Sequence, residues 1–572
     1  VVVGSAGNNG GVRIVVAEDS DAGVGRRYSV RGLDDALPEK RGLSAEELAT
    51  IVRDVEGTAN SPPTWVFPAT DRIYPVLLSA GVRVRRCHDL RTTEGLLLAY
   101  EGRHGEPRGL AAAYARARGE PPPPEDDTPA DEPSAQGVLF EPSGPALPHG
   151  VTATEAAAVV LAEQERWLDR LPTSERMRLL VAAESASTLV AAEMTADGLP
   201  WDAGVHRQLL TDLLGPRVAG GRPAKLAELA ERIAAAFGEP VNPDHPPSVV
   251  RAFARAGIEV PSTRAAALVG VDHPAVEPLL KYKELARLHS AHGWTWLAEW
   301  VHDGRFRPHF VVGGVVSGRW ASRGGGALQI PKTLRRCVRA DPGWKLVVAD
   351  AAQLEPRVLA AISGDQRLAA VSTAEDLYTG LAAEAFGGDR ARAKVAMLSA
   401  MYGGTAGEAG ALLAVLRQRF PVAVGYVEQA ALTGERGELV RSRLGRTSPP
   451  PPEAWRSLTG SADDSQQAAA RRAAKDWGRF TRNFVVQASA ADWTAVLLAL
   501  VRSKLRDRAP EAQLVFFQHD EVIVHCPAAV AALVCDVLEE CAAEAGRLVF
   551  GERCPVCFPL IGEVVDSYAD AT

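Results

Sequence analysis

Two adjacent carboxylates, Asp520 and Glu521, stand between apolar strand-like runs in "FFQHDEVIVH" (residues 516–525). A carboxylate pair in such surroundings is costly unless something cationic neutralises it. A tight hairpin turn whose acids face water explains the pair equally well, whereas half of a metal site needs another carboxylate elsewhere. One is offered by "WKLVVADAAQLEPRVLAAISGD" (344–365), where Asp350 closes an apolar strand and a helix follows. Pro356 is tolerated in the first turn of that helix. A strand end aims a carboxylate rigidly into a cleft, and if the two segments are neighbours, Asp350 and Asp520 share divalent cations. Two hard cations about 3.5–4 Å apart activate an attacking oxygen and stabilise a leaving phosphate. Standing alone, Asp350 reads just as well as a charge at a helix N-terminus.

Between these acids lies "DRARAKVAMLSAMYGG" (389–404). Arg390, Lys394, Leu398 and Tyr402 recur every fourth residue, so a helix places them on one stripe. Two cations, an apolar side chain and an aromatic ring in that order suit a nucleoside triphosphate. A helix with a mixed polar face, capped by Gly403-Gly404, fits the same pattern. No Walker-type glycine-rich loop occurs, which leaves an ATPase with little support.

The elements that must carry these residues belong to a chain of 572 residues, longer than one ordinary core, so several domains are expected. Residues 1–117 hold strand-like "VRIVVAE" and "TWVFPA" and the capped helix pattern "HDLRTTEGLLLAYEG", a small α/β domain. Residues 118–150 form a Pro-rich acidic linker. Residues 151–300 read as a helical arm; strands return near "GRFRPHFVVG" and "WKLVVAD", a helix-rich segment runs to about 500, and a hairpin, a helix and a strand close the chain. A second Pro run, "SPPPPEAW" (448–455), is expected as an exposed loop.

No uncharged apolar run approaches membrane-spanning length, the first residues carry no secretory pattern, and seven scattered cysteines suit a reducing cytoplasm. Cys554 and Cys557 have metal-like spacing without a matching second pair. The net charge of −8 argues mildly against a chain that coats nucleic acid all over. Local basic clusters remain in "KTLRRCVR" (332–339), "RSRLGR" (441–446) and "RRAAKDWGRFTR" (471–482), each also readable as a solvated face.

Taken in order, these segments resemble the family A DNA polymerases of the bacterial DNA polymerase I type. The family's motif A, D-Y-S-Q-I-E-L-R, is matched by Asp350-Ala-Ala-Gln353-Leu-Glu355-Pro-Arg357; motif B, R-x3-K-x3-F-x3-Y-G, by Arg390, Lys394, Leu398, Tyr402 and Gly403; motif C, H-D-E, by His519-Asp520-Glu521. "SGRW" with Arg319, "LQIP" with Gln329 and "RNFVVQASAAD" with Asn483 and Gln487 fall in the family's order. Upstream, "EMTADGLPWD" and "LLKYKELARLHSAH" resemble its thumb, so the likeness covers about residues 175–572. Ala351 and Ala352 stand where the family has Tyr and Ser, Pro356 where it has Leu, and Leu398 where it has an aromatic ring.

The resemblance implies a multidomain α/β chain with a right-hand polymerase fold: connection and thumb at 151–300, palm at 301–355 and 485–572, fingers at 356–484. It implies two Mg²⁺ ions, with Mn²⁺ as a substitute, on Asp350 and Asp520, and Glu521 beside them in catalysis. Arg390, Lys394, Leu398, Tyr402, Glu355, Gln353 and His519 would meet the deoxynucleoside triphosphate, with Glu355 blocking a ribose 2′-hydroxyl. Arg319, Gln329, Arg357, Arg479, Asn483 and Gln487 would meet primer–template DNA. A cytoplasmic, nucleoid-associated monomer in repair or gap filling is expected; a polymerase-shaped DNA-binding protein with little catalysis is the alternative.

In this family the region before the polymerase often holds a 3′–5′ exonuclease of RNase H-like fold. "TDRIYPVLLSAGVRVRRCHDLRTTEGLLL" (70–98) resembles part of it, with Asp71 near a metal-ligand position. The first strand lacks an Asp-x-Glu, and Arg118 stands four residues after Tyr114 where an acid is needed. The expectation is a degenerate domain without proofreading, in which Asp71 serves as a first-turn helix acid.

Overall fold

The computed structural model describes residues 11–19, 26–33, 37–58, 61–124, 147–218, 221–373, 376–404, 407–459 and 467–571, with the side chain of Gln329 outside them. Most of the expected linker, 125–146, also lies outside the described residues. The chain divides into two units: residues 1–197, 310–321 and 343–564 in one, and 198–309, 322–342 and 565–572 in the other.

The first unit opens with a five-stranded sheet in the order Lys40–Leu43, Tyr28–Gly32, Arg13–Glu18, Thr64–Phe67, Cys87–Asp89. Arg13–Glu18 runs antiparallel to Tyr28–Gly32 and parallel to Thr64–Phe67. Side chains alternate across a sheet. Accordingly Ile14, Val16, Trp65 and Phe67 enter one apolar core with Ile73, Tyr74 and Leu77, while Val15 and Val66 enter another with Val160 and Leu161. Both faces are covered, which is why these strands read as continuous apolar runs. The covering helix Ala153–Arg170 starts at a capping box of Thr152 and Glu155.

A four-stranded sheet follows in the order Gln513–Gln518, Glu521–Pro527, Trp344–Ala351, Leu560–Val565. Trp344–Ala351 is antiparallel to Glu521–Pro527, and the register sets Asp350 opposite Glu521. Val347, Ala349, Val522 and Val524 share one core with Trp493, Val496 and Leu500 of the 42-residue helix Gln467–Arg508 and with Val534 and Leu538 of the helix Ala531–Phe550.

Several boundaries differ from the sequence reading. The stretch 151–300 is not one arm: the helix Ser174–Asp197 belongs to the first unit, whose core takes up Leu180, Val190 and Met194. The limits expected at 355/356 and 484/485 fall inside the helices Leu354–Ser363 and Gln467–Arg508. Hydrogen bonding continues through both points because apolar periodicity, not domain function, sets where a helix stops. Two helices, Ser174–Asp197 and Gln467–Arg508, do contain apolar windows long enough to cross a bilayer; those windows are 61% and 94% buried within the protein, as core helices are. The second Pro run is not simply exposed, since Ser448 and Pro451 are buried.

In the second unit, helices including Ala203–Leu214, Ala224–Phe237 and Val276–His292 pack around Leu210, Leu229, Ile233, Phe253 and Tyr282. A three-stranded ribbon of Leu199–Pro200, Arg305–Phe306 and Val301–His302 accompanies them. Trp201, His206, Trp296 and Phe306 form an aromatic knot with ring centroids 4.9–5.7 Å apart.

Candidate active site

The hairpin at the end of the four-stranded sheet is closed by His519 and Asp520 between the paired residues Gln518 and Glu521. Only two residues make the turn, so His519 takes φ 61°, a left-handed conformation costing a side-chain-bearing residue roughly 1–2 kcal/mol. Gln353, just after the Asp350 strand, also has positive φ, 51°. Two of the three non-glycine residues with positive φ among the described residues thus flank the acids, a strain common at functional sites.

The backbone N–H of Ala351 donates to the carbonyl of Asp520 at 3.1 Å, joining the two acid-bearing segments. Burial, and then the charge of Asp350, push the Asp520 carboxyl up to about 7; Arg319 opposes the rise and Glu355 adds to it. Carboxylates crowded in this way fit a hard cation, whose charge removes their repulsion. Among the described residues no three His, Cys, Asp or Glu side chains gather as a metal site. A two-carboxylate pair nonetheless matches Mg²⁺, which takes one or two carboxylates and completes its shell from water and substrate phosphate. Asp350 and Asp520 are the residues that would hold it.

Glu355 opens the helix Leu354–Ser363. One of its oxygens accepts from Arg319 Nη2, and the other from the Tyr402 hydroxyl at 2.8 Å. Gly318, Arg319, Trp320, Glu355, Ala490, Thr494, Phe517, His519 and Asp520 line one cleft. Burial and Arg319 both lower the His519 imidazole pKa, and Glu355 opposes them.

The helix Arg390–Tyr402 is present as the spacing predicts, N-capped by Asp389 and closed by Gly403 at φ 78°. Ala393, Ala396, Met397 and Ala400 are buried, while Arg390, Lys394 and Tyr402 are exposed and Leu398 is half-buried. Arg390 pairs with Asp376 at 2.7 Å. Arg479, Asn483 and Gln487 recur every fourth residue along Gln467–Arg508; Arg479 is exposed and the other two half-buried. Arg479 lies against Gly403, where an added Cβ would come 3.0 Å from its Cγ.

Two expected roles change. Arg357 is buried, donating to the carbonyls of Ala352 at 2.9 Å, Ser372 at 2.6 Å and Cys557 at 3.0 Å. With its guanidinium turned into the core it ties the Asp350 segment to its surroundings, and a DNA contact is corrected to a structural one. Of the cluster 441–446, Arg446 changes likewise, while Arg441 stays exposed. Arg446, buried, donates to Glu184 and, at 3.1 Å, to Asp492. Arg443 donates to the Val549 carbonyl, and Arg441 lies 4.3 Å over the Tyr100 ring. Gln353 accepts through its side-chain oxygen from the Leu377 N–H at 3.0 Å and from Arg357 at 3.4 Å. The expected DNA contact of Gln329 lies on a side chain outside the described residues.

The sequence reading missed the knot of Glu184, Arg446 and Asp492. Its one signal was a lone acid, Asp492, within the apolar run 484–501, because a buried acid demands a buried cation. It also missed the Arg319–Glu355 ion pair, for which no local signal exists.

Residues 223–555 match the sequence profile of DNA polymerase family A, and the chain belongs to that family. DNA polymerase I, thermostable, of Thermus aquaticus is 29% identical over 468 residues, 72% of this chain and 53% of that protein. DNA polymerase I of Bacillus subtilis (strain 168) is 24% identical over 409 residues, 65% of this chain and 44% of that protein. The chain thus spans about half the length of the curated relatives it matches. Among solved structures, the POL domain of Pol1 from M. smegmatis, in complex with DNA primer-template and dNTP, superposes with a TM-score of 0.71 at 18% identity, covering 98% of this chain and 96% of that one. The fold is that of the right-hand polymerases.

Proposed function

We propose that this chain is a DNA-directed DNA polymerase that adds deoxynucleotides to a primer 3′-hydroxyl by two-metal-ion nucleotidyl transfer, in DNA repair or gap filling. The observation that carries the reading is the meeting of Asp350 and Asp520 at the end of one sheet, where burial and mutual repulsion raise the Asp520 carboxyl. When bound there, Mg²⁺ ions, or Mn²⁺ in their place, would activate the primer hydroxyl and offset charge on the departing pyrophosphate.

The chain's own residues supply the rest. Lys394 and Arg390 present positive charge to the triphosphate from one stripe of the helix Arg390–Tyr402, and Leu398 and Tyr402 offer the base an apolar surface. Glu355 bounds the sugar. Arg319, Arg479, Asn483 and Gln487 face the primer–template, whose phosphates would give salt-sensitive binding indifferent to sequence. We read the protein as a cytoplasmic, nucleoid-associated monomer.

We read the five-stranded N-terminal domain as a degenerate exonuclease-like module that supports the polymerase and does not proofread. Two of its acids are engaged elsewhere: Asp71 with Arg91 at 2.5 Å, and Asp19 with Ser29 at 2.5 Å and the Gly42 N–H at 3.0 Å. Primer extension by the wild type and by Asp350→Asn tests the central reading. Extension by the first and none by the second is expected; binding of primer–template without extension by either would favour the non-catalytic alternative.

A further inference from the structure

Glu355 is held from two directions, by Arg319 on one carboxylate oxygen and by the Tyr402 hydroxyl, 2.8 Å away, on the other. The Glu355 side chain is 12% exposed and that of Arg319 33%. Arg319 and Glu355 also act with opposite sign on the neighbouring Asp520 carboxyl, which places the ion pair beside the acids. Without Arg319 the carboxylate would keep a single bond, to Tyr402, and be able to pivot about that hydroxyl.

Arg319 is itself supported from behind. Gly318 has φ 89°, and a Cβ there would fall 2.4 Å from the Arg446 guanidinium. That guanidinium is fixed by Asp492 and Glu184 in a fully enclosed pocket. The backbone that carries Arg319 therefore packs against a guanidinium held by two acids, and its side chain reaches Glu355 from that braced position.

A wall that excludes a hydroxyl group by overlap works only while it cannot step aside, so the interactions restraining the wall set how well it discriminates. We propose that Arg319 is a positioning residue for sugar selection: by pinning Glu355 against Tyr402 it keeps ribonucleotides out, in addition to any contact it makes with DNA. The inference rests on the polymerase reading above and on Glu355 bounding the sugar.

The test is the ratio of deoxynucleotide to ribonucleotide recognition, measured twice. Dissociation constants are taken for each nucleotide on the complex of full-length protein with a primer–template ended in a dideoxynucleotide, which needs no turnover. Values of kcat/KM are taken with an extendable primer. Arg319→Ala should lower the discrimination ratio by about tenfold or more, on the order of one charge-assisted hydrogen bond. Arg319→Lys, which keeps the charge but not the fork, should recover part of it. In a Glu355→Ala background, Arg319→Ala should change the ratio by less than about twofold, because the group it acts through is gone. A role limited to folding or DNA binding would weaken both nucleotides alike and leave the ratio untouched. An unchanged ratio in both Arg319 variants overturns the proposal, as does an undiminished drop in the Glu355→Ala background. A wild type that neither binds nor adds either nucleotide overturns the polymerase reading, and this inference falls with it.

Discussion

Asp350 stands opposite Glu521 in the register of the two central strands, and the Ala351 N–H bonds the Asp520 carbonyl at 3.1 Å. Acids separated by about 170 positions in the chain are thereby fixed on one sheet end by backbone hydrogen bonds, with no flexible loop between the sheet and either carboxylate.

That arrangement predicts unequal roles for the adjacent acids. Asp520→Asn should abolish primer extension while leaving primer–template affinity within about threefold, because the metal site acts on developing charge and phosphate contacts carry binding. Glu521→Gln should reduce extension without abolishing it. Extension by Asp520→Asn at the wild-type rate would move the metal site elsewhere.

The stripe on the helix Arg390–Tyr402 predicts nucleotide effects. Lys394→Ala should raise KM for the nucleotide and lower kcat, since a cation on the phosphates acts in both ground and transition states. Leu398→Phe should tighten nucleotide binding by about 0.5–1.5 kcal/mol if the ring meets the base. Steady-state kinetics of both variants checks this; unchanged constants would mean that the helix does not meet substrate.

The buried knot of Arg446, Asp492 and Glu184 predicts a stability effect. Asp492→Ala leaves Arg446 paired with Glu184 but removes the acceptor of the buried Arg446 Nε–H and Leu444 N–H, and should destabilise the first unit by about 1–3 kcal/mol. Thermal unfolding followed by circular dichroism reads the loss; a melting curve that overlays the wild type would show that the pocket admits water.

In the second unit, burial lowers His206 to about 4 and His292 to about 4, each from 6.5. His206 accepts the Trp201 indole N–H at 3.3 Å on Nδ1, and its Nε2 meets the His292 carbonyl at 3.0 Å, so the ring is held neutral. The unfolded chain binds these protons more readily than the folded one. Stability from the pair is therefore complete above about pH 6.5 and is lost as pH falls towards 4, by on the order of 3 kcal/mol per ring. Urea unfolding at pH 7.5 and 5 should show the fall, and His206→Gln should flatten the His206 share of it. An identical slope in that variant would assign the pH dependence to other groups.

The N-terminal domain predicts a negative result. Protein incubated with mismatched 3′-ended DNA and Mg²⁺ or Mn²⁺, without nucleotides, should leave the DNA intact. Degradation that persists in Asp350→Asn and disappears in Asp71→Asn would establish a working nuclease site.

The sequence by itself determined the local geometry. Arg390, Lys394, Leu398 and Tyr402 could be placed on one stripe because helical spacing depends only on near neighbours. The hairpin holding Asp520 was legible because turn residues between apolar runs act over a few positions. Only the tertiary structure decided which charges stay at the surface. Arg357, alone in an apolar helix pattern, and Arg446, in a basic stretch, carry no local mark of burial, yet both are buried, one on backbone carbonyls and one on acids 262 and 46 positions away. It also decided that Arg319 meets Glu355 and that the expected limits at 355/356 and 484/485 lie within continuous helices. These pairings depend on packing between segments remote in sequence, where burial makes an unpartnered charge costly and so selects its partner, and no local pattern records which one.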